Sequence, residues 1–178
     1  MESDAFTLYK LILLFLLSKV DFPLTNAQLS SIILDHNYTN YFNIQFSLSE
    51  LLESELIHSE KIGHSSYYRI TDSGRETLSF FDNMISQTIQ RELLDYLKEK
   101  QYSLRDEVST LSEFHKLNKN EYSVRLRVLE KNASIIDLNI IVPSEDDAKT
   151  ICNNWRKQSQ QIYAHVLISL LSNESEEK

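Results

Sequence analysis

The stretch KIGHSSYYRITDSGRETL, residues 61–78, contains both glycines of the 178-residue chain, Gly63 and Gly74. Segments rich in β-forming side chains lie on either side of Gly63, at about 57–62 and 66–70. Glycine readily adopts the positive φ that a tight hairpin turn needs. The stretch therefore predicts a β-hairpin with Gly63 at its tip.

A helix is predicted to follow this hairpin directly. Thr71 is a suitable N-cap, and Asp72 places a negative charge at the positive end of the helix. Gly74 falls three residues into the helix, where glycine lowers helix propensity. We expect it there because a residue without a Cβ lets the first turn pack closely against a neighbouring element.

Further helices are predicted before the hairpin. Thr25 and Gln28 form a capping box for a helix over about 26–35, and Pro23 ends the helix before it. After the short polar segment HNYTN, a third helix over about 40–56 carries apolar residues at helical spacing. Two helices joined by a short turn and followed by a hairpin form a winged helix-turn-helix.

The same segments resemble known bacterial regulators. YYRITDSGRETL is similar to the run Tyr-x-Leu/Ile-Thr-x-x-Gly-x-x-x-Leu that ends the wing of PadR-like and MarR-like regulators; the matching residues are Tyr68, Ile70, Thr71, Gly74 and Leu78. YTNYFNIQFSLSELLESELI, residues 38–57, resembles an uncharacterised bacterial winged-helix family of unknown function that is grouped with these regulators. The resemblance covers the N-terminal half and extends to the C-terminal half by element order. It implies a DNA-binding transcriptional regulator.

The first helix contains the apolar run LILLFLL, residues 11–17. The run is too short to span a bilayer, and Glu2 and Asp4 replace the basic start of a signal peptide. Because a helix that is apolar nearly all round is buried on several sides, we expect one face in the core and another in a dimer contact. The chain is expected to be cytoplasmic, with its single cysteine, Cys152, acting as a small buried apolar side chain.

The second half of the sequence has a different pattern. A helix over about 82–101 is predicted to link the halves. The segments EYSVRLRVLE and SIIDLNIIV alternate apolar and polar residues, and a less regular strand is expected at about 105–115. They predict a three-stranded antiparallel β-meander. Pro143 ends the last strand, and Ser144 caps a long final helix.

These elements predict an α+β chain with an N-terminal winged helix-turn-helix domain at 1–81, a linker helix at 82–101, and a C-terminal β-β-β-α module at 102–178 for dimerisation or sensing. The final helix has apolar residues outside its main stripe, namely Tyr163, Leu167, Ile168 and Leu171. Exposed apolar surface of this kind marks an interface. We predict a homodimer that forms through the first and last helices.

No pattern indicates an enzyme, a metal site or a cofactor. The five histidines show no metal-binding spacing with one another, with Cys152 or with carboxylates. Two glycines cannot supply a phosphate-binding loop, and no Gly-x-Ser-x-Gly motif occurs. Whether the protein binds a small-molecule effector stays open. Arg125 and Arg127 could bind an anion, but pairing with a strand carboxylate such as Asp137 is the preferred interpretation.

Double-stranded DNA is the predicted partner. In a winged helix the third helix enters the major groove, and the wing contacts the backbone or the minor groove. The polar side chains that could read base edges on the third helix are Thr39, Asn40, Asn43, Gln45 and Ser47. A merely solvated helix face explains this polar stripe equally well. The side chains that could bind the backbone in or beside the wing are Lys61, His64, Ser65, Tyr67, Arg69 and Arg75.

The charge of the chain argues against strong DNA binding. The net charge is −8, whereas phosphate contacts require Lys and Arg. The third helix has no basic residue and carries Glu50, Glu53 and Glu55 in its later turns. The alternative is a winged helix that has lost its DNA surface and serves as a non-enzymatic protein-interaction module, since fold does not imply function.

Overall fold

The computed structural model describes residues 2–130 and 133–172, and the side chains from residue 5 onward within those ranges. The chain is α+β, as the sequence predicts. Its elements are, in order, α1 Glu2–Ser18, β1 Leu24–Thr25, α2 Asn26–Asp35, α3 Tyr41–Glu53, β2 Ile57–Ile62, β3 Ser65–Ile70, α4 Asp72–Phe81, a 3₁₀ turn Asp82–Met84, α5 Gln87–Ser109, β4 Thr110–Asn118, β5 Glu121–Glu130, β6 Ala133–Val142 and α6 Glu145–Leu171.

Two compact units make up the chain, residues 1–108 and 109–178. The first contains three antiparallel strands in the order β1-β3-β2, with helices that pack on them. The second contains the antiparallel meander β4-β5-β6 and the long helix α6. The predicted meander and the long final helix are therefore confirmed.

Helix α1 forms the centre of the core of the first unit. Each residue from Leu11 to Leu17 is no more than 3% exposed, because α1 is in contact with α3, α4 and β3 of its own unit. The prediction that a second face of this run is free for a dimer contact is wrong. All residues of the apolar run 11–17 are buried inside the protomer.

The local signals around α2 and the hairpin are confirmed. The Gln28 main-chain N–H donates to Thr25 Oγ1 at 3.1 Å, and the Thr25 N–H donates to Gln28 Oε1 at 3.0 Å, which completes the capping box. Gly63 has a φ of 59° between β2 and β3. Glycine is suited to that left-handed conformation at the hairpin tip.

Helix α5 is longer than the sequence predicts. It continues to Ser109, so residues 105–109 are helical and the first strand of the meander begins only at Thr110. Leu97, Leu104 and Val108 are buried along one side of α5. This apolar spacing extends the helix through a segment whose sequence looks like an irregular strand.

The meander of the second unit packs against α6 on one face. Val124 and Leu126 of β5 share a core with Trp155 and Ala148 of α6, and Trp155 Nε1 donates to the Arg127 carbonyl at 3.2 Å. This packing accounts for the apolar stripe of the final helix. None of the described helices is both long enough and apolar enough to cross a membrane.

Ion pairs occupy the other face of the meander. Arg125 forms two hydrogen bonds with the Asp137 carboxylate, at 2.7 and 3.0 Å. Arg127 Nη2 lies 3.3 Å from Glu113 Oε1. The preferred interpretation of these arginines, cross-strand pairing with carboxylates, is thus confirmed.

Candidate nucleic-acid interface

Thr71 anchors the hairpin to the short segment between α3 and β2. The Thr71 hydroxyl lies 2.8 Å from the Glu55 carbonyl and 3.0 Å from the Leu56 carbonyl, and its N–H donates to the Leu56 carbonyl at 3.1 Å. The same hydroxyl accepts from the Gly74 N–H at 3.0 Å and so caps α4. One side chain therefore joins the segment that follows α3, the base of the hairpin and α4.

Helix α2 is joined to α3 by a reciprocal amide pair. Asn26 Nδ2 donates to Gln45 Oε1 at 2.8 Å, and Gln45 Nε2 donates to Asn26 Oδ1 at 3.0 Å. Asn26 Nδ2 also lies 3.4 Å from the Tyr68 hydroxyl of the hairpin. Gln45, predicted as a base-reading side chain, is half-buried and engaged in this network.

Three more of the predicted reading residues bond to one another at the start of α3. Asn40 is the N-cap, and its Oδ1 accepts from the Asn43 N–H at 2.9 Å. Asn43 Nδ2 donates to Thr39 Oγ1 at 2.8 Å. Asn40 is exposed, whereas Thr39 and Asn43 are half-buried. These side chains hold the first turn of the helix.

Ser47 does not belong to the surface of α3. Its side chain is fully buried, and within the described residues its hydroxyl has no hydrogen-bond partner. Of the predicted polar stripe Asn40, Asn43 and Ser47, the last residue therefore points into the protein. The expectation that Ser47 contacts DNA is incompatible with this burial.

The outward face of α3 is a different set of residues, which we call the α3 ridge: Phe42, Phe46, Ser49 and Glu53. Phe42 is 74% exposed and Phe46 is 44% exposed, and the Phe46 ring also contacts the Phe6 ring, with centroids 5.0 Å apart. The spacing i, i+4, i+7, i+11 places the four residues along one line of the helix. The ridge is not among the predicted contact residues, which are the polar side chains of the helix.

The tip of the hairpin presents polar and basic side chains. Lys61, His64 and Ser65 are all exposed, and Lys61 pairs in register with Ser66 next to the turn. The structure thus brings together three of the predicted backbone-contact residues around Gly63. Tyr67, further along β3, is half-buried and lies opposite Glu60 in the hairpin.

The remaining two predicted residues lie away from the hairpin tip, Arg69 near the base of the hairpin and Arg75 in α4. Arg69 Nη1 donates to the Asp21 carbonyl at 3.5 Å, and Arg75 Nη1 donates to the Ser18 carbonyl at 3.3 Å. Burial lowers the pKa of the Arg69 guanidinium, while the charges of Glu60 and Asp21 act in the opposite direction. Arg69 and Arg75 thus belong to a different surface from Lys61 and His64.

No group of three or more His, Cys, Asp or Glu side chains within the described residues could hold a metal ion. Cys152 is half-buried, and burial raises the pKa of its thiol.

The geometry thus defines an α+β protein whose first unit presents a helix ridge and an exposed hairpin tip. Residues 9–170 match the family model described as Domain of unknown function (DUF4364). Because the match covers most of the chain, the protein belongs to this family. Searches of curated proteins and of solved structures gave no match.

Proposed function

We propose that the first unit is a winged helix that binds double-stranded DNA, and that the chain acts in the cytoplasm as a homodimeric transcriptional regulator. The observation that supports this most is the anchoring of the hairpin through Thr71 to the segment that directly follows α3, with contacts of 2.8 and 3.0 Å to the Glu55 and Leu56 carbonyls. A helix and a wing that move as one body can engage a groove and the adjacent backbone together. The resemblance to PadR-like and MarR-like regulators points the same way.

The proposed contacts differ from the predicted stripe on α3. Lys61, His64 and Ser65 at the exposed tip would meet the backbone. The outward residues Phe42, Phe46 and Ser49 would face the bases, where apolar side chains contact the thymine methyl group and Ser bonds to either base of a pair. Asn40 and Asn43 would act by holding the helix end.

Few cations are available at this surface, so the affinity for DNA should be modest. Lys61 is the single lysine at the hairpin tip, and α3 contains no basic residue. A homodimer doubles the phosphate contacts. We therefore expect binding that is detectable at low salt and falls with a shallow salt dependence.

Selection of binding sites from a random duplex library by the purified full chain at low salt tests this proposal. We expect an enriched sequence with two-fold symmetry. Lys61→Ala should weaken binding of that sequence and reduce the slope of log K against log salt by about 1.8, because the dimer loses two phosphate contacts. Lys98→Ala, which removes an exposed lysine from α5, is the matched control and should bind normally. A folded dimer that enriches no sequence would contradict the proposal.

The composition of the α3 ridge favours a second candidate function, protein binding. Two exposed phenylalanines followed by Glu53 suit an apolar partner surface better than a phosphate backbone. A photo-crosslinking amino acid at Phe42, used in the source cells, would capture such a partner as a discrete adduct. Tyr102, an aromatic residue of α5 that is 73% exposed, is the control position. Adducts from both positions alike would argue against a specific ridge partner.

A further inference from the structure

Three arginines contact the last residue of α1 or the loop that follows it. We propose that Arg69, Arg75 and Arg105, gathered around residues 18–21, form a binding site for a small ligand that carries phosphate groups. The site does not depend on DNA binding by the first unit. We call these three residues the arginine cluster.

The cluster draws on three separate elements of the first unit. Arg69 comes from β3, Arg75 from α4 and Arg105 from α5. Arg69 Nη1 lies 3.5 Å from the carbonyl oxygen of Asp21, and Arg105 Nη2 lies 2.5 Å from the Oδ1 of the same residue. Arg75 Nη1 lies 3.3 Å from the carbonyl oxygen of Ser18, the last residue of α1. The guanidinium groups therefore converge on one short segment.

Carboxylates neutralise this cluster only in part. Among the described residues, Arg105 has an ion pair with Asp21, whereas the hydrogen bonds of Arg69 and Arg75 go to neutral carbonyl oxygens. The charges of Glu60 and Asp21 also act on Arg69 at longer range. Lys19 is exposed in the loop itself.

This concentration of positive charge contrasts with the rest of the first unit. Residues 1–108 contain sixteen Asp and Glu against nine Lys and Arg. Four of those nine basic residues belong to the cluster or its loop. Nearly half of the basic residues of an acidic unit therefore lie close to one loop. This local positive charge would attract an anion.

The guanidinium groups are partly preorganised to bind an anion. Arg69 is half-buried, so its charge carries a desolvation cost that a carbonyl oxygen offsets less well than a phosphate oxygen would. The Arg105 guanidinium lies over the Phe22 ring, 5.3 Å from its centroid, which restricts its orientation. Arginine forks match the geometry of phosphate oxygens.

Convergence on one loop favours a compact ligand over duplex DNA. A DNA backbone presents its phosphates in a row, whereas Arg69 and Arg105 contact the same residue. Arg69 lies near the base of the hairpin, roughly 13 Å along β3 from Ser65 at the tip, at the usual rise per strand residue. The Asp21 side chain is 62% exposed and can leave Arg105 when a phosphate takes its place.

Titration calorimetry of the full chain with sodium tripolyphosphate tests the proposal, with sodium sulfate at matched ionic strength as the comparison. We expect saturable binding of one tripolyphosphate per protomer. Arg75→Gln removes an exposed guanidinium and should weaken binding by about tenfold, because a charge-assisted hydrogen bond is lost. Asp21→Asn should strengthen binding, because it removes the competing carboxylate.

Arg91→Gln is the matched control, since Arg91 is an exposed arginine of the same unit outside the cluster. It should bind tripolyphosphate as the wild type does. Equal binding by wild type and Arg75→Gln overturns the proposal, and so does equal binding of sulfate. As a second test, the same proteins are titrated with a mixed-sequence DNA duplex. If Arg75→Gln loses duplex and tripolyphosphate binding in parallel, the cluster serves the DNA backbone, and the small-ligand assignment is overturned.

Discussion

At the scale of single residues, Gly74 has the clearest steric role. It lies in the first turn of α4, where a Cβ would come within 2.1 Å of the Leu56 carbonyl oxygen and 2.8 Å of Ile70 Cγ1. The first of these atoms is main chain and cannot move aside cheaply. The close approach that the sequence predicted at Gly74 is therefore real, and the segment between α3 and β2 is the neighbour that requires it.

Gly74→Ala should lower the free energy of unfolding in spite of the better helix propensity of alanine. Forcing a methyl group into a filled space costs about 1–3 kcal/mol, whereas the propensity gain is at most about 1 kcal/mol. Urea denaturation followed by circular dichroism measures the difference. Ser73→Ala, at the exposed neighbouring position of the same turn, is the control. A Gly74→Ala protein as stable as the wild type would contradict the packing described here.

Asp137 gives a pH-dependent prediction at the same scale. Hydrogen bonds from Arg125 lower the pKa of the Asp137 carboxyl, against a smaller opposing effect of desolvation. The ionised form thus stabilises the fold; its contribution is complete above about pH 4 and is lost as the pH falls through the lowered pKa.

Asp137→Asn should therefore lower the free energy of unfolding near neutral pH by less than about 1 kcal/mol, because the pair is solvent-exposed. The difference from the wild type should vanish at the acid end of a urea series run at several pH values. Glu130→Gln, on a strand next to Asp137 and without an ion pair among the described residues, serves as the control. A difference that stays constant down to acid pH would show that the pair does not act through charge.

At the scale of elements, α3 combines a buried hydroxyl with an exposed aromatic ridge. Ser47 is fully buried and, within the described residues, unpartnered, whereas Ser49 is exposed on the ridge two residues later. An unsatisfied buried hydroxyl costs about 1–3 kcal/mol. The helix therefore carries a destabilising group at a position where alanine would pack as well.

Ser47→Ala should raise the free energy of unfolding by about 1 kcal/mol more than Ser49→Ala does. Both substitutions make the same change in helix propensity, so their difference isolates the buried hydroxyl. Thermal unfolding of the two variants beside the wild type gives the comparison. Equal effects at the two positions would mean that the Ser47 hydroxyl is satisfied in solution.

The sequence predicted the elements of the first unit better than it predicted their exposed faces. Capping at Thr25 and Thr71 and the turn at Gly63 depend on neighbouring residues, so they can be recognised locally. Which side of α3 faces solvent depends on α1, which packs against it from a distant part of the sequence. The α3 segment has one stripe with Asn40 and Asn43 and another with Phe42 and Phe46, and only packing decides which of the two faces solvent. The extension of α5 through Arg105 does have a local signal, the helical spacing of Leu97, Leu104 and Val108, which overrides the strand-like composition of the segment.

At the scale of the whole molecule, the arginine cluster shows what the sequence could not predict. Arg69, Arg75 and Arg105 are separated by up to 36 positions in the chain, and the loop they contact precedes them all. Arg69 and Arg75 were grouped with the wing because they are near it in sequence. Their convergence on Asp21 and Ser18 follows from the packing of β3 and α4 beside the end of α1, which no local pattern encodes.

The homodimer remains a prediction, and the structure narrows where its contact can lie. Leu11 to Leu17 are buried within the first unit, which leaves the end of α6 as the predicted contact. Ile168 is 66% exposed and Leu171 is 75% exposed, on the same side of the helix. Full burial of such a side chain contributes about 1.5–3 kcal/mol. A contact that buries Ile168 and Leu171 of both protomers gains this contribution from each of the side chains.

The double variant Ile168→Lys/Leu171→Lys should therefore be a monomer where the wild type is a dimer, because each lysine would have to bury a charge in the contact. Size-exclusion chromatography with light scattering at micromolar protein concentration distinguishes the two states. Ser169→Lys, at an exposed polar position of the same turn, should remain dimeric. A dimeric double variant would move the contact away from α6. A monomeric wild type would contradict the homodimer itself, and a DNA-binding regulator would then have to bind a single half-site with the few cations of one hairpin tip.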